Sequence, residues 1–183
     1  MQFVPTELPD LIIIEPKVYG DDRGYFMESF RRDLFQNEIP GVSFIQDNES
    51  LSGFGVLRGL HYQLPPFAQN KLVRVVTGKV LDVVVDIRKN SLTFGKHFSL
   101  ELNSENKRQL FIPAGFAHGF VVLSEQALFQ YKVDNLYSRE HERGIAFDDP
   151  ALGIDWTVDR KNLLTSKKDT ANPVLAEADV FES

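Results

Sequence analysis

Short runs of β-branched and aromatic residues, separated by turn-forming residues, constrain the fold of this 183-residue chain. Strands at such close spacing, with few helical patterns between them, are typical of a β-sandwich or jelly roll. The two runs on either side of Gly78 predict a β-hairpin. The sequence therefore predicts an all-β, jelly-roll sandwich or barrel. Its clearest strand-like runs are residues 71–77, 80–88, 94–102, 108–112, 119–123 and 127–133.

Helical patterns in the chain are few and short. Residues 29–38 predict a helix with Ser29 as its N-cap, and a second short helix is predicted near residues 159–164. The length fits one domain spanning residues 1–183. Within this domain, the small, acidic tail after about residue 169 is expected to be loosely docked.

Composition argues against several classes of protein. There is no cysteine, which excludes disulfides and thiolate metal sites and is consistent with a reducing, cytoplasmic location. The apolar run at residues 11–14 is too short to span a bilayer, and the N-terminus lacks a signal-peptide pattern. The net charge of -6 disfavours binding to nucleic acid. We therefore expect a cytoplasmic protein without a membrane or nucleic-acid partner.

A spaced motif of polar residues occupies residues 55–78, with the pattern Gly-x5-His-x-Gln-x7-Lys-x6-Gly. It resembles the frame of a metal-binding cupin barrel, in which a second histidine and a glutamate replace Gln63 and Lys71. A protonated lysine repels a divalent cation and offers it no lone pair. The pattern therefore favours proton chemistry on an anion-forming substrate over metal chemistry.

Strand alternation predicts that four polar residues meet in one pocket. Residues two apart share a strand face, so His61, Lys71, His118 and Tyr131 lie on faces directed towards the barrel interior, the last three with apolar neighbours. A single inward histidine or tyrosine is commonly an ordinary core residue, whereas a lysine there is uncommon without a partner or a function. Several inward polar groups are costly unless they pair or meet a ligand.

A second cupin signature, Pro-x-Gly-x-x-His, ends at His118. In metal cupins this histidine completes the ligand set. Together with His61 it supplies only two of the usual four ligands, and the sequence therefore predicts no metal site.

Longer motifs resemble the dTDP-4-dehydrorhamnose 3,5-epimerase family. The resemblance runs from about residue 14 to residue 169 and includes Asp-Arg-Gly at 22–24 and Gln-Asp-Asn at 46–48. It implies a homodimeric jelly roll that needs no cofactor and acts on a dTDP-linked 4-keto-6-deoxyhexose. The implied reaction inverts C3 and C5 of dTDP-4-dehydro-6-deoxy-D-glucose to give dTDP-4-dehydro-L-rhamnose in deoxysugar synthesis. The motifs are RGLHYQ at 58–63, KLVRVV at 71–76, FIPAGFAHGF at 111–120 and DDPALGIDW at 148–156.

The same resemblance implies roles for four catalytic residues. His61 is similar to the general base of the family and Asp169 to the carboxylate that orients it. Lys71 matches the residue near the C4 oxygen, and Tyr131 matches the proton donor on the opposite face. The residue types suit the reaction, because removing a proton next to a ketone creates an enolate that a fixed cation stabilises.

Other positions resemble the substrate contacts of the family. Arg23 and Glu28 would come from the neighbouring subunit, while Arg23, Arg58 and Lys168 resemble diphosphate or nucleotide contacts. The sequence departs from the usual family pattern at residues 134–137, close to the nucleoside end. The full set of implied binding residues is Arg23, Phe26, Glu28, Gln46, Asp47, Asn48, Arg58, His118, Tyr137, Glu142 and Lys168.

Three alternatives remain open from the residues alone. The first is a metal-dependent cupin, such as a dioxygenase, that uses His61 and His118 with water and Gln63. The second is a sugar- or nucleotide-binding jelly roll without catalytic activity. The third is an epimerase that inverts only one of the two carbons.

Overall fold

The computed structural model describes residues 1–182, which fold mainly into antiparallel strands. A single α-helix, α1 (Arg32–Glu38), is found within these residues, and three short 3-10 turns lie in the C-terminal segment. No helix in the described part of the chain has the length and hydropathy needed to cross a membrane. The strands are β1 (Gln2–Pro5), β2 (Ile12–Glu15), β3 (Val18–Asp21), β4 (Gly24–Met27), β5 (Gln46–Gly53), β6 (Leu57–Gln63), β7 (Lys71–Thr77), β8 (Lys79–Asp86), β9 (His97–Asn103), β10 (Gln109–Ile112), β11 (Phe116–Val122), β12 (Gln126–Val133) and β13 (Glu142–Gly144).

Two antiparallel sheets pack face to face. The first sheet has the strand order β1-β2-β10-β7-β12-β5, and the second has the order β13-β6-β11-β8-β9. Strands β3 and β4 form a separate two-stranded hairpin. Each strand-like run of the sequence corresponds to an observed strand, with ends that differ by a few residues. The prediction of an all-β jelly roll is confirmed.

The predicted hairpin around Gly78 is wrong, because β7 and β8 belong to opposite sheets. Gly78 has φ +81°, a backbone conformation that favours glycine. A Cβ atom at this position would lie 2.0 Å from the Gln126 carbonyl oxygen. The glycine therefore turns the chain from one sheet to the other rather than back along the same sheet.

The predicted N-cap at Ser29 is also wrong, since α1 begins at Arg32. The Ser29 carbonyl instead accepts a hydrogen bond of 2.8 Å from the Gln109 side chain. The next residue, Phe30, packs edge-on against Phe44, with ring centroids 5.7 Å apart. These contacts with the rest of the fold hold residues 29–30 outside the helix.

The C-terminal segment is docked more firmly than the sequence predicted. Instead of a helix near residues 159–164 there is a single 3-10 turn, Arg160–Asn162. Phe181 is only 9% exposed and contacts the ring of Tyr62. The Tyr62 hydroxyl donates a hydrogen bond to the Asp179 carbonyl. The expectation of a loosely docked tail is therefore wrong.

Apolar residues form three clusters that stabilise the two sheets. Between the sheets, the rings of Phe120 and Phe129 stack with centroids 4.2 Å apart. A second cluster, including Trp156, covers the outer face of the second sheet, and a third lies beneath α1 around Phe35. Because both faces of the second sheet are covered, every residue of β11 is buried.

Strands β6 and β11 approach closely where two glycines face each other. A Cβ atom at Gly119 would lie 2.7 Å from the Arg58 carbonyl oxygen and 3.0 Å from the Gly59 Cα. The register between the strands shifts next to this contact, after the direct pairing of His118 with His61. The close approach therefore places two histidines side by side on the second sheet.

We expect Gly119→Ala to destabilise the protein by about 1–3 kcal/mol, because its methyl group would force β6 and β11 apart. Urea denaturation measures this change. The control is Gly53→Ala, whose Cβ would lie 3.8 Å from its nearest neighbour and should change stability by less than about 0.5 kcal/mol. Equal stability of the two variants would contradict the proposed steric role of Gly119.

Candidate active site

A cavity of about 360 Å³ lies between the two sheets. Its volume lies within the range of small-molecule binding pockets. The prediction of one shared pocket is confirmed, because His61, Lys71, His118 and Tyr131 all line this cavity. Five further residues from the predicted site also line it, and these are Arg58, Tyr137, Glu142, Lys168 and Asp169.

His61 and Asp169 form a hydrogen-bonded pair at the cavity wall. His61 Nε2 lies 2.5 Å from Asp169 Oδ1, and the Asp169 side chain is 5% exposed while that of His61 is 30% exposed. Burial raises the pKa of Asp169, but hydrogen bonds from His61 and Ser166 outweigh it and leave the pKa below its usual range. The ionised carboxylate therefore accepts the Nε2 proton, which leaves the lone pair of a neutral His61 ring on Nδ1.

Lys71 brings an ammonium group into the same cavity from the first sheet. Its Nζ lies 3.5 Å from the His61 carbonyl oxygen. Burial lowers the pKa of Lys71 to about 8, and the charges of Asp82 and Glu142 oppose part of that effect. The group is therefore a cation at neutral pH that is poorly solvated and suited to pair with a developing anion.

Tyr131 faces the cavity from β12, in the first sheet. Burial raises the pKa of Tyr131, while the nearby charge of Arg58 opposes this shift in part. Among residues 1–182, no hydrogen bond contributes to this pKa. Tyr131 is consequently a neutral phenol that can donate a proton to a bound molecule.

His118 lies beside His61 and completes the inner wall. It is 8% exposed, and its Nε2 lies 2.9 Å from Asp82 Oδ2. Its ring is also stacked against Phe129, with centroids 6.2 Å apart. The orientation of His118 is thus fixed by both a hydrogen bond and packing.

A carboxylate holds two predicted substrate contacts together at the edge of the cavity. Glu142 Oε1 lies 2.5 Å from Lys168 Nζ, and its Oε2 accepts a hydrogen bond of 2.7 Å from the Tyr137 hydroxyl. Burial raises the pKa of Glu142, but the bonds to Lys168 and Tyr137 outweigh it and the net pKa is lowered. This carboxylate therefore positions an aromatic ring next to a cation.

Gln63 fixes the loop that carries Tyr137. Its amide donates to the Phe67 carbonyl at 2.7 Å and to the Leu136 carbonyl at 3.1 Å, and its Oε1 accepts from the Ser138 amide at 2.6 Å. All three bonds are to backbone groups, and Gln63 is only 5% exposed. Its side-chain amide is therefore fully used in holding this loop. This structural role was missed in the sequence, where Gln63 was identified only as a substitute for a metal ligand.

The donor atoms of the cavity do not fit a metal-ion site. Within residues 1–182 there is no group of three or more His, Asp or Glu side chains arranged to hold a metal. The Nε2 atoms of His61 and His118 each contact an aspartate, and Lys71 adds a positive charge between the sheets. This arrangement disfavours the metal-cupin alternative on the chemistry of its donors.

Arg58 lines the cavity and is held by a residue that was not predicted from the sequence. Arg58 Nε donates a hydrogen bond of 3.2 Å to Ser52 Oγ. Ser52 shares a face of β5 with Asn48, so strand alternation could have identified it. Phe120 and Phe129 also line the cavity, as expected for apolar neighbours of His118 and Tyr131. The cavity residues missed in the sequence are Glu49, Ser50, Tyr62, Gln69 and Ser166.

Two groups of predicted binding residues lie outside this cavity. Arg23, Phe26 and Glu28 lie on or next to the β3–β4 hairpin, where the Arg23 side chain is 90% exposed. On β5, Gln46 donates to Asn48, with 2.8 Å between their amides. Asp47 points to the opposite face of that strand and pairs with Lys132 at 2.7 Å. Their contact with substrate stays a prediction.

Comparisons with known proteins agree with this geometry. A family model described as dTDP-4-dehydrorhamnose 3,5-epimerase matches residues 5–177. The dTDP-4-dehydrorhamnose 3,5-epimerase of Shigella flexneri is 55% identical over 182 residues and covers 99% of this chain and 99% of its own. The crystal structure of that enzyme from Elizabethkingia anophelis NUHP1 has a TM-score of 0.92 and 49% identity, with 97% of each chain covered.

A ligand-bound structure is equally similar. The dTDP-6-deoxy-D-glucose-3,5-epimerase from Legionella pneumophila, in complex with dTDP-4-keto-L-rhamnose, has a TM-score of 0.93 and 47% identity. The match covers 97% of this chain and 94% of that one. With motifs, fold and cavity in agreement along nearly its whole length, this chain is a member of the dTDP-4-dehydrorhamnose 3,5-epimerase family.

Proposed function

We infer that this protein epimerises C3 and C5 of dTDP-4-dehydro-6-deoxy-D-glucose, giving dTDP-4-dehydro-L-rhamnose for dTDP-rhamnose synthesis. One observation carries this proposal. His61 faces the cavity from the second sheet, whereas Lys71 and Tyr131 face it from the first. A base and an acid on opposite walls can remove a proton from one face of a sugar and return one to the other.

Proton removal begins at His61. With Nε2 bonded to Asp169, the free Nδ1 of a neutral ring can accept a proton from the carbon next to the C4 ketone. The charge of the Asp169 carboxylate stabilises the imidazolium that results. The electron pair of the broken C–H bond moves into the C3–C4 or C4–C5 bond and places negative charge on O4.

Lys71 stabilises that enolate. Its ammonium is already desolvated, so an anionic oxygen gains a stronger interaction there than in water. General acid–base catalysis alone supplies about 10²–10⁴-fold, so stabilisation of the enolate must contribute much of the remaining rate.

Tyr131 completes the inversion by protonating the opposite face. Its raised pKa keeps the phenol protonated before reaction, and the enolate carbon takes this proton to leave a short-lived phenolate. His61 then releases its extra proton to solvent, and the Tyr131 phenolate takes up a proton from solvent. Both groups return to their starting forms. Because C3 and C5 flank the same ketone, one base and one acid can act on both if the ring reorients between the two steps.

Cationic side chains suit the diphosphate of the substrate. Arg58 and Lys168 line the same cavity, and a guanidinium binds phosphate oxygens in a bidentate manner. Tyr137, held by Glu142, offers an exposed ring for stacking with the nucleoside. The chemistry thus runs from the catalytic groups inside the cavity to the nucleotide contacts at its edge.

We also propose that the active protein is a homodimer that completes its site with the partner's hairpin. Tyr19, Tyr25 and Phe26 on this hairpin are more than half exposed, an unusual density of aromatic surface for a free monomer. Phe26 and the adjacent Arg23 are predicted substrate contacts that their own cavity lacks. A single catalytic domain over residues 1–183 and a cytoplasmic location also stay predictions.

Deuterium exchange tests the assignment of base and acid. In D₂O, wild-type protein should incorporate deuterium at C3 and C5 of dTDP-4-dehydro-6-deoxy-D-glucose, as read by NMR. His61→Ala should lose exchange at both carbons, while Tyr131→Phe should retain exchange but fail to invert. Normal dTDP binding in both variants is the control for folding. Exchange in His61→Ala, or normal product from Tyr131→Phe, would contradict these roles.

The pH profile tests Lys71. Because only the protonated amine stabilises the enolate, kcat/KM should fall about tenfold per unit above pH 8. Lys71→Arg should keep some activity without a fall near pH 8, since arginine stays charged. A wild-type profile that is flat to pH 9.5 would exclude this role.

Subunit mixing tests whether Arg23 acts in the partner's cavity. Arg23→Ala and His61→Ala proteins should each have low kcat/KM, and exchange of their subunits should restore about a quarter of the wild-type value, because half of the dimers then hold one intact site. If Arg23 acted within its own subunit, no mixed dimer would contain an intact site. Absence of restoration after verified exchange would therefore refute the shared site.

A further inference from the structure

Asp82 is a buried acid that the mechanism above does not use. It lies in the middle of β8, between the sheets, and is 0% exposed. Its Oδ2 accepts the bond from His118 Nε2, but its Oδ1 is buried and has no hydrogen-bond partner among the described residues. Val80 and Val84, which lie two residues before and after it on β8, belong to the apolar cluster between the sheets.

A carboxylate in such a place is costly for folding. Burying an ionised group with a single hydrogen bond costs several kcal/mol, and a hydrophobic or neutral replacement is often more stable. Asp86, four residues later on the same strand, is equally buried but accepts hydrogen bonds from Arg88, Ser91 and Thr93. Hydrogen bonds to the folded chain therefore account for a buried carboxylate at Asp86. They do not account for one at Asp82.

The neighbours of Asp82 connect it to the catalytic groups. His118 joins it to the cavity wall and pairs directly across the strands with His61. Lys71 Nζ in turn lies against the His61 carbonyl. This ammonium has no ion pair of its own within residues 1–182, and Asp82 is the carboxylate that acts on it most strongly.

We propose that Asp82 is a positioning residue of the reaction: its carboxylate orients His118 and supplies the interior negative charge that keeps the Lys71 ammonium opposite the C4 ketone. The Nε2–H of His118 donates to Asp82, which directs Nδ1 of that ring to the substrate. No covalent step is assigned to Asp82. The proposal rests on the proposed function, since it concerns the charge that stabilises the enolate.

Other charged and titratable groups also surround Lys71 and must stay constant in any test. Glu142 is the second carboxylate that favours its charged form. The remaining groups that line the same cavity come from β5, β6, β11, β12, the loop before β13 and the C-terminal segment, and these are Glu49, Arg58, His61, Tyr62, His118, Tyr131, Tyr137, Lys168 and Asp169.

Asp82→Asn tests the proposal, because asparagine keeps the shape and an acceptor for His118 but removes the charge. We expect kcat to fall at least tenfold and the alkaline limb of kcat/KM to move from pH 8 to about pH 7, the effect of losing one nearby charge. The melting temperature should be unchanged or higher, and dTDP affinity should stay within twofold. Asp82→Glu, which keeps the charge, should retain the limb near pH 8.

Asp86→Asn is the matched control from the same strand. It should lower the melting temperature, because it weakens the hydrogen bonds from Arg88, Ser91 and Thr93, and leave the alkaline limb unchanged. If Asp82→Asn does not fold, the smaller Asp82→Ser is measured with the same expectations. An unshifted limb with wild-type kcat would overturn the proposal while the proposed function stands. A wild-type protein without epimerase activity would overturn both.

Discussion

Lys71 is partly buried between the two sheets and must keep its positive charge there, and much of the site is arranged around this requirement. Burial pushes Lys71 towards its neutral form, whereas catalysis needs the ammonium, so its pKa near 8 reflects a balance. Asp82 and Glu142 shift that balance towards the cation without forming an ion pair with it. A closer carboxylate would stabilise the ammonium more, but it would also neutralise the charge that the enolate needs.

Inversion at a carbon needs catalytic groups on both faces of the sugar ring, and the two-sheet architecture provides them. Strands of one sheet direct alternate side chains to the same face, so a single sheet can supply several groups from only one side of a ligand. Placing His61 on one sheet and Tyr131 on the other gives access to both faces of a sugar ring. The turn at Gly78 contributes here, because it carries the chain from the sheet of Lys71 to the sheet that holds His118.

Strand positions and the pocket could be predicted from the sequence because both depend on a period of two residues. The facing directions of His61, Lys71, His118 and Tyr131 follow from that period alone. The pairing of β7 with β12, rather than with β8, could not be predicted, because sheet membership depends on contacts far apart in sequence. Asp82 was missed for a related reason. In the sequence it is one acidic residue beside a valine-rich run, and only the fold shows that its Oδ1 has no hydrogen-bond partner among the described residues. The docked tail likewise depends on a single aromatic residue, Phe181, in an otherwise polar segment.

The cavity and the hairpin differ in character, and this difference is the basis for proposing that two subunits share each site. The inner wall is densely connected, with each of its two histidines fixed by an aspartate, while Tyr137 at the edge of the cavity is exposed. The hairpin has the opposite character, because its aromatic residues and Arg23 contact little of their own subunit. The proposed homodimer would place the exposed aromatic hairpin of one subunit against the nucleotide end of the other cavity, through a single interface. Dimerisation would then control substrate affinity, whereas the proton chemistry would depend on residues of a single chain.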